Sequence, residues 1–388
     1  MQIRRALFIA NGIWREGKTP AVSGGDVRWI EIAKQWQELG IEVHVLTTRA
    51  GVELCRRLEL DAFFYVMKVR DNYSLLSYAE RAVGSFTLPT ELRAFSGIVY
   101  ASTEHWYDVI PGATIKKNNP SNIFVVVAHW VAPPIRKGTS IINSFLFFIN
   151  QRVGFRIAKK YADLILAVSE PTAKALKHIG MPSKKIEVVE AGVHYDKIRK
   201  IASHIRKKEF DGIFMKRFDE TKGVFDVVDI WETVVRKVSE AKLVLVGHGT
   251  SKTVEKLKRI ISARNLDGNI RIFGPIYDFS KKVEMLAKSK VFLLPSYEEN
   301  WAIVIGEALA AGVPVICYDL PEIKPIWRDN VIWVSKGNKR EFAERVMELI
   351  QNDKLRFELG RKGIEFVKRY DWSNIARKEL TLITKRYT

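Results

Sequence analysis

The chain has 388 residues, with 63 Lys and Arg against 44 Asp and Glu for a formal charge of +19, and 47% of its residues are hydrophobic. This composition excludes a largely disordered chain, and the length calls for two domains, each able to bury its own core. The charge favours anionic ligands without choosing among nucleotide phosphate, acidic lipid and nucleic acid.

The first apolar run, 6–10, reads as a strand. It is too short for a signal-peptide core, and no small-residue cleavage site follows it. Residues 12–19, Gly-Ile-Trp-Arg-Glu-Gly-Lys-Thr, then fit the phosphate-loop pattern of an NTPase. That motif needs its Lys and Thr to open a helix directly. Here Pro20 follows Thr19 and the glycines Gly24 and Gly25 come next, so a glycine-bearing loop over a ligand cleft is the stronger reading. A periodic helix opens at Asp26, with Trp29, Ile32, Ala33 and Trp36 on one face and Gly40 placed to end it.

Further apolar runs predict strands over 41–46, 123–128, 164–168 and 186–189. A second series predicts them over 212–215, 243–246, 270–273, 291–294, 315–318 and 331–334. Unbroken apolar runs alternating with amphipathic helices, one of them marked by Val227, Val228, Trp231, Val234, Val235 and Val238, predict parallel sheets covered on both faces. The alternation restarts after a basic stretch, 197–208, read as a solvated linker between two doubly wound domains. Only Cys55 and Cys317 occur, far apart, which predicts a reducing, cytoplasmic setting and no disulfide. No apolar run approaches the ~20 residues of a membrane span.

The stretch 135–160 mixes Phe145, Leu146, Phe147, Phe148 and Ile149 with Arg136, Lys137, Arg152, Arg156, Lys159 and Lys160. It suits an anionic membrane surface and, equally, a core helix with a basic outer face.

The most informative region is 291–319, VFLLPSYEENWAIVIGEALAAGVPVICYD. A buried strand ends at Pro295-Ser296, a loop carries Glu298 and Glu299, and a helix follows over 302–311. Ligands of open α/β sheets bind at the carboxyl ends of strands, where Glu299 falls. Backbone amides of Asn300, Trp301, Ala302 and Ile303 open the helix and suit phosphate oxygens. Glu307 lies two helical turns further on, so the two carboxylates suit two hydroxyl-bearing parts of one elongated ligand. On spacing alone, two solvated acids at the positive end of a helix dipole are the better explanation.

This segment resembles the E-x7-E signature of the family 4 retaining glycosyltransferases (glycosyltransferase group 1), P-S-x-x-E-G-F-G-L-x-x-x-E-A-x-A-x-G-x-P-V. Pro295, Ser296, Glu299, Glu307, Ala308, Ala310, Gly312, Pro314 and Val315 match in register. The resemblance extends over nearly the whole chain in order. Gly24-Gly25 is similar to the family's N-terminal glycine loop, and His129, after the 123–128 strand, to its histidine turn. Ala162-Asp163 through Val168-Ser169, Gly192-Val193, Arg217 with Lys222-Gly223, Gly247-His248-Gly249 and Tyr370-Asp371-Trp372 resemble further motifs.

The resemblance implies the α/β GT-B fold: two Rossmann-like, doubly wound parallel-sheet domains facing across a cleft. They are expected at 1–200, with 372–388 packing back on it, and at 201–371. It implies that Arg217 and Lys222 grip the donor diphosphate and that Glu307 holds the ribose. Glu299 and His129 would contact the donor sugar, with backbone at Gly247 and around Ile276 completing the nucleotide site. It also implies a retaining hexosyl transfer from a UDP-, GDP- or ADP-sugar to a glycan, lipid-linked or small-molecule acceptor.

No Asp-x-Asp motif and no zinc-ligand spacing occur, so transfer without a metal or other cofactor is expected. Dispersed basic residues and the lack of a recognition motif predict no nucleic-acid partner. A sugar-nucleotide epimerase of the same fold and the residue 12–19 NTPase are the alternatives. The chain departs from the family pattern at Lys216, where glycine is usual, at Asn300-Trp301-Ala302, where Gly-Phe-Gly is usual, and at His194, where an acid is usual. Lys216 and Trp301 are accordingly expected to narrow sugar choice.

Overall fold

The computed structural model describes residues 4–16, 19–20, 22–72, 74–135 and 141–386. It divides the chain into two compact units, 1–191 with 372–388, and 192–371.

The first unit opens with β1 (Arg5–Ala10), a short hairpin of β2 (Arg15–Glu16) and β3 (Thr19–Pro20), α1 (Gly24–Glu38), β4 (Glu42–Thr47), α2 (Arg49–Arg57) and β5 (Phe63–Val66). It continues through α3 (Leu75–Phe86), α4 (Thr90–Arg93), β6 (Ile98–Ala101), α5 (Trp106–Asn118), β7 (Ile123–Ala128) and α6 (Ile141–Tyr161). The unit's last strands and helix are β8 (Leu164–Ala167), α7 (Glu170–His178) and β9 (Ile186–Val188). The second unit runs α8 (Tyr195–Ala202), β10 (Phe210–Met215), α9 (Val224–Val235), β11 (Leu243–Val246), α10 (Ser251–Ala263), β12 (Ile270–Gly274) and α11 (Phe279–Ala287). After these come β13 (Ser289–Leu294), α12 (Ile303–Ala310), β14 (Val315–Tyr318), α13 (Lys324–Trp327), β15 (Ile332–Val334), α14 (Lys339–Gln351) and α15 (Asp353–Val367). The last helix, α16 (Trp372–Thr384), belongs to the first unit.

Both main sheets are parallel, in the orders β5-β4-β1-β6-β7-β8-β9 and β12-β11-β10-β13-β14-β15. Their inner strands are buried along their length, as sheets covered by helices on both faces require. Each order reverses once, between β1 and β6 and between β10 and β13, and such reversals place ligand sites at the strands' carboxyl ends. One face of the first sheet packs Leu7, Ile9, Val99, Val126 and Ile165 against Val109, Ile115 and Phe155. On Phe8, the ring lies 4.7 Å from that of Tyr100 and 5.3 Å from that of Trp36.

The eleven apolar runs all become strands, with ends shifted by a residue or two. Four strands were not foreseen. Of these, β6 is four residues long yet lies at the centre of its sheet, fully buried, and β5 is a half-exposed edge.

Two expectations are corrected, and the region after Thr19 opens no helix, as Pro20 led one to expect. The helix foreseen at Asp26 starts two residues earlier, because Ser23 and Asp26 form a capping box that takes Gly24 and Gly25 into the first turn. Thr19 and Pro20 pair antiparallel with Arg15 and Glu16, so no helix follows the phosphate-loop pattern. Gly17 and Lys18 lie outside the described residues. The 197–208 stretch is helical as far as Ala202, and α8 packs on α11 and α12 of the second unit rather than serving as a free linker.

Candidate functional site

At the second unit's reversal, β10 ends in Met215 and delivers Lys216 and Arg217, while β13 ends in Leu294 and delivers the loop to Glu299. The loop after β10 is tightly fixed. Asp219 caps the short turn Glu220–Lys222 through the Lys222 amide at 3.0 Å, and Gly223 follows with φ +74°. A Cβ on Gly223 would lie 1.9 Å from the Pro295 carbonyl oxygen, so only glycine allows the two loops to approach this closely. Gly247 meets the same demand, its Cβ position being 1.9 Å from the Lys216 carbonyl.

This packing brings two ammonium groups onto one carboxylate. Lys216 Nζ lies 2.9 Å from Glu299 Oε1 and 3.1 Å from Oε2. Lys222 Nζ lies 3.3 Å from Glu299 Oε1 and donates to the Glu298 carbonyl at 2.6 Å. The Glu299 side chain is 5% exposed. Burial opposes its charge, but the Lys216 and Lys222 ammoniums outweigh burial and hold its pKa below the ordinary carboxylate value. Burial also lowers the pKa of Lys222, with Glu299 working in the opposite direction. Arg217 is more than half exposed and donates from Nε to Asp219 at 2.6 Å, leaving the rest of its guanidinium facing solvent.

Two helical turns beyond Glu299, Glu307 is paired at 2.5 Å with Lys282 of α11. Between them Asn300 is exposed, and Ala302 takes a left-handed conformation, φ +58°, immediately before Ile303 opens α12. Trp301 turns inward. Its ring lies 4.6 Å from that of Trp327 and 5.5 Å from that of Tyr370, and its carbonyl accepts from Trp327 Nε1 at 2.9 Å. Ile276 lies half-buried in the loop after β12.

In the first unit, the carboxyl ends of β6 and β7 deliver a second cluster. The His129 amide donates to Glu104 Oε2 at 3.0 Å, and Gln151 of α6 donates to Glu104 Oε1 at 2.7 Å. Gln151 also donates to the Trp130 carbonyl and accepts from the Ala132 amide, so one side chain of α6 fixes the loop carrying His129. His129 Nε2 lies 3.0 Å from the Ser102 carbonyl, an acceptor, which assigns the ring proton to Nε2 and leaves Nδ1 as the acceptor. Burial, with the Arg28 charge adding to it, lowers the His129 pKa to about 4, so the ring is neutral near pH 7. Gly25 lies against this ring, its Cβ position 3.0 Å from His129 Cε1.

Two family models match the chain in succession, Glycosyltransferase Family 4 over residues 22–197 and Glycosyl transferases group 1 over residues 196–366. The chain belongs to Glycosyltransferase Family 4. It is 32% identical over 168 residues to a phosphatidyl-myo-inositol mannosyltransferase of Mycobacterium leprae, a match covering 42% of this chain and 43% of that one. It thus spans less than half the length of that relative. N-acetyl-alpha-D-glucosaminyl L-malate synthase of Bacillus anthracis is 23% identical over 366 residues, 90% of each chain. The structure of Anabaena Alr3699/HepE in complex with UDP superposes with a TM-score of 0.77 over 99% of this chain and 100% of that one, at 16% identity. The likeness shows that this family 4 chain has the GT-B fold, with twin parallel-sheet units.

Of the residues that family membership singles out, the structure brings Lys222 and Glu299 into contact. It leaves Arg217 and Glu307 with other partners, Asp219 and Lys282. Gly25 and His129 meet within the first unit. Trp301, expected to narrow sugar choice, has its ring built into the second unit's aromatic core. Sequence reasoning missed Lys282, whose only signal is a cation in the loop-proximal turn of α11. It left open the direction of Lys216, which points at Glu299. It also missed Glu104 and Gln151, neither of which belongs to a motif.

Proposed function

We propose that this protein is a retaining, metal-independent hexosyltransferase that uses a nucleoside diphosphate sugar. The acceptor class is a glycan, a lipid-linked molecule or a small molecule. The observation that carries this reading is the Lys216–Glu299–Lys222 cluster at the β10/β13 reversal, its carboxylate buried, with Arg217 beside it and paired, among the described residues, to Asp219. The similarity to a mannosyltransferase of phosphatidyl-myo-inositol and to a UDP-bound GT-B structure supports it.

The chemistry follows from charge. When the glycosidic bond to the donor breaks, the leaving nucleoside diphosphate gains negative charge. Preorganised cations at a site poor in water stabilise that charge more than they stabilise the bound donor. Lys222 is fixed for this role by the Glu298 carbonyl and Glu299, and Arg217 directs its remaining N–H groups outward. Together they supply what a divalent ion would otherwise provide. Glu307, held by Lys282, would accept from ribose hydroxyls, and Glu299 from hydroxyls of the sugar. In the first unit, His129 offers Nδ1 of a neutral ring to a hydroxyl. The buried, free Cys55 and Cys317 suit a reducing, cytoplasmic setting.

The test is a screen of UDP-, GDP- and ADP-sugars with EDTA present, scoring nucleotide release and anomeric configuration of the product. One donor should be turned over with retention. Lys222→Ala should reduce turnover about a hundredfold, the usual loss when one preorganised donor to a developing oxyanion is removed. Activity abolished by EDTA and restored by magnesium would refute the metal-independent route, and an inverted product would refute retention.

A further inference from the structure

Helices α3, α5 and α6 arise in crossovers that advance from β5 through β6 and β7 to β8. The right-handed rule therefore places them on one face of the first unit's sheet. There α5 packs against both α3 and α6 and is mostly covered. Its two neighbours are not. Along α6, Ile141, Ile142, Phe145, Ile149 and Val153 are between 40% and 70% exposed. They recur every three or four residues and so form one stripe, while Ser144, Gln151, Phe155 and Ala158 face the core. On α3, Leu76, Val83 and Phe86 are 60–68% exposed at the same kind of spacing. Soluble surfaces scatter large apolar residues singly, so two stripes on helices of one layer mark an interaction face.

Charge identifies what the face meets. Helix α6 carries Arg152, Arg156, Lys159 and Lys160 and not one carboxylate, and α5 ends in Lys116 and Lys117. Lys117 and Lys160 both approach the half-buried Tyr161 ring, at 5.0 and 5.1 Å. A second copy docking through this face would set these cations against their own kind. A bilayer with anionic headgroups offers negative charge at the level of the cations and hydrocarbon just beneath it, which is what an apolar stripe with basic flanks requires. Among the described residues no helix is long and apolar enough to cross a membrane, so the contact would be interfacial.

We propose that the α3/α6 face of the first unit is a docking surface for an anionic lipid bilayer, the stripe of α6 entering the headgroup boundary and its four cations binding the headgroups. The inference rests on this surface alone and stands whether or not the transferase reading holds. If that reading holds, it also favours a lipid-linked acceptor within the acceptor class.

Flotation of the full chain with vesicles tests it. One set is pure phosphatidylcholine and the other contains roughly one third phosphatidylglycerol. The protein should float with the anionic set, release with rising salt, and ignore the neutral set. Ile142→Glu with Phe145→Glu, and separately Arg156→Glu with Lys160→Glu, should each weaken binding about tenfold or more. Phe357→Glu, at a 72%-exposed apolar position of α15, should leave it unchanged. All these positions are solvent-facing, and unaltered circular dichroism would confirm that the variants fold. Equal flotation with both sets, no flotation, or wild-type binding by the stripe variant would overturn the proposal. So would a dimer in light scattering that the stripe variant dissociates, which would give the face to a second copy.

Discussion

Lys216 stands where the family pattern has glycine, and its ammonium spans both oxygens of Glu299. A family-like Glu299 would share its carboxylate between Lys222 and the donor, but here Lys216 occupies it first. On the proposed reading, a donor sugar would meet a carboxylate already paired, with the remaining Lys216 N–H as a neighbouring donor. Lys216→Gly should change the ratio of kcat/KM between two donor sugars by about tenfold, the scale at which one polar contact in a pocket discriminates. Trp301→Phe should leave that ratio unaltered and instead lower stability, since its ring packs among Trp327 and Tyr370. A competition assay with paired donors reads the first outcome and urea unfolding the second. The reverse pattern would return Trp301 to the sugar pocket. This contrast also shows what the sequence could not supply. The motif register placed Glu299, Glu307 and Lys222, because backbone demands such as that on Gly223 fix them. The directions of Lys216 and Trp301 depend on which neighbours fill the adjacent space, and those neighbours lie tens of residues away.

At the scale of elements, strands buried on both faces were legible because nothing but continuous apolar sequence can occupy them. The exception is β6, Ile98–Ala101, which is no shorter than β11 or β14, so its length does not explain why it was missed. The return of α16 to the first unit is carried by a contact that no local pattern announces. Arg28 of α1 donates to Glu379 of α16 at 2.6 Å, to the Tyr100 hydroxyl at 2.7 Å and to the Val189 carbonyl at 3.2 Å. Both charged side chains are almost completely buried, at 2% and 0% exposure. Trp36 Nε1 adds a bond to the Ala376 carbonyl. An ion pair this dry contributes little over a well-packed apolar pair, but removing one partner strands the other. Glu379→Ala should therefore cost about 3–5 kcal/mol, whereas Arg28→Met with Glu379→Leu should recover most of that loss. Chemical denaturation of the three variants decides it. A loss below 1 kcal/mol in Glu379→Ala would mean that water reaches Arg28 and that α16 is held by its apolar face alone.

For the whole molecule, the buried titratable groups of the two units impose different responses to pH. In the first unit, burial raises Glu104 and Asp108, each to about 7, despite amide and hydroxyl donors that favour their charged forms. A carboxyl whose native pKa exceeds its unfolded value binds protons on folding. Its cost is thus complete above pH 7 and fades as pH falls toward the ordinary carboxylate range. His129, lowered to about 4, acts in the other direction, losing stability as pH falls through the ordinary imidazole value of 6.5. Burial also raises Asp26 and lowers His44, so three raised carboxyls against two lowered imidazoles leave the first unit firmer in mild acid than at pH 8. In the second unit Glu299, held below its ordinary value by its lysines, contributes stability that is present above the ordinary carboxylate pKa and is lost only in stronger acid. Glu104→Gln removes one of the buried charges while keeping an oxygen acceptor for the His129 amide. The variant should exceed the wild type by about 2 kcal/mol at pH 8, and the gain should shrink to a small part of that by pH 5 and vanish below the ordinary carboxylate pKa, where the unfolded carboxyl is protonated as well. Melting curves of the two proteins at the two pH values measure this. An equal difference at both would show that Glu104 shapes the His129 loop by its contacts and not by its charge.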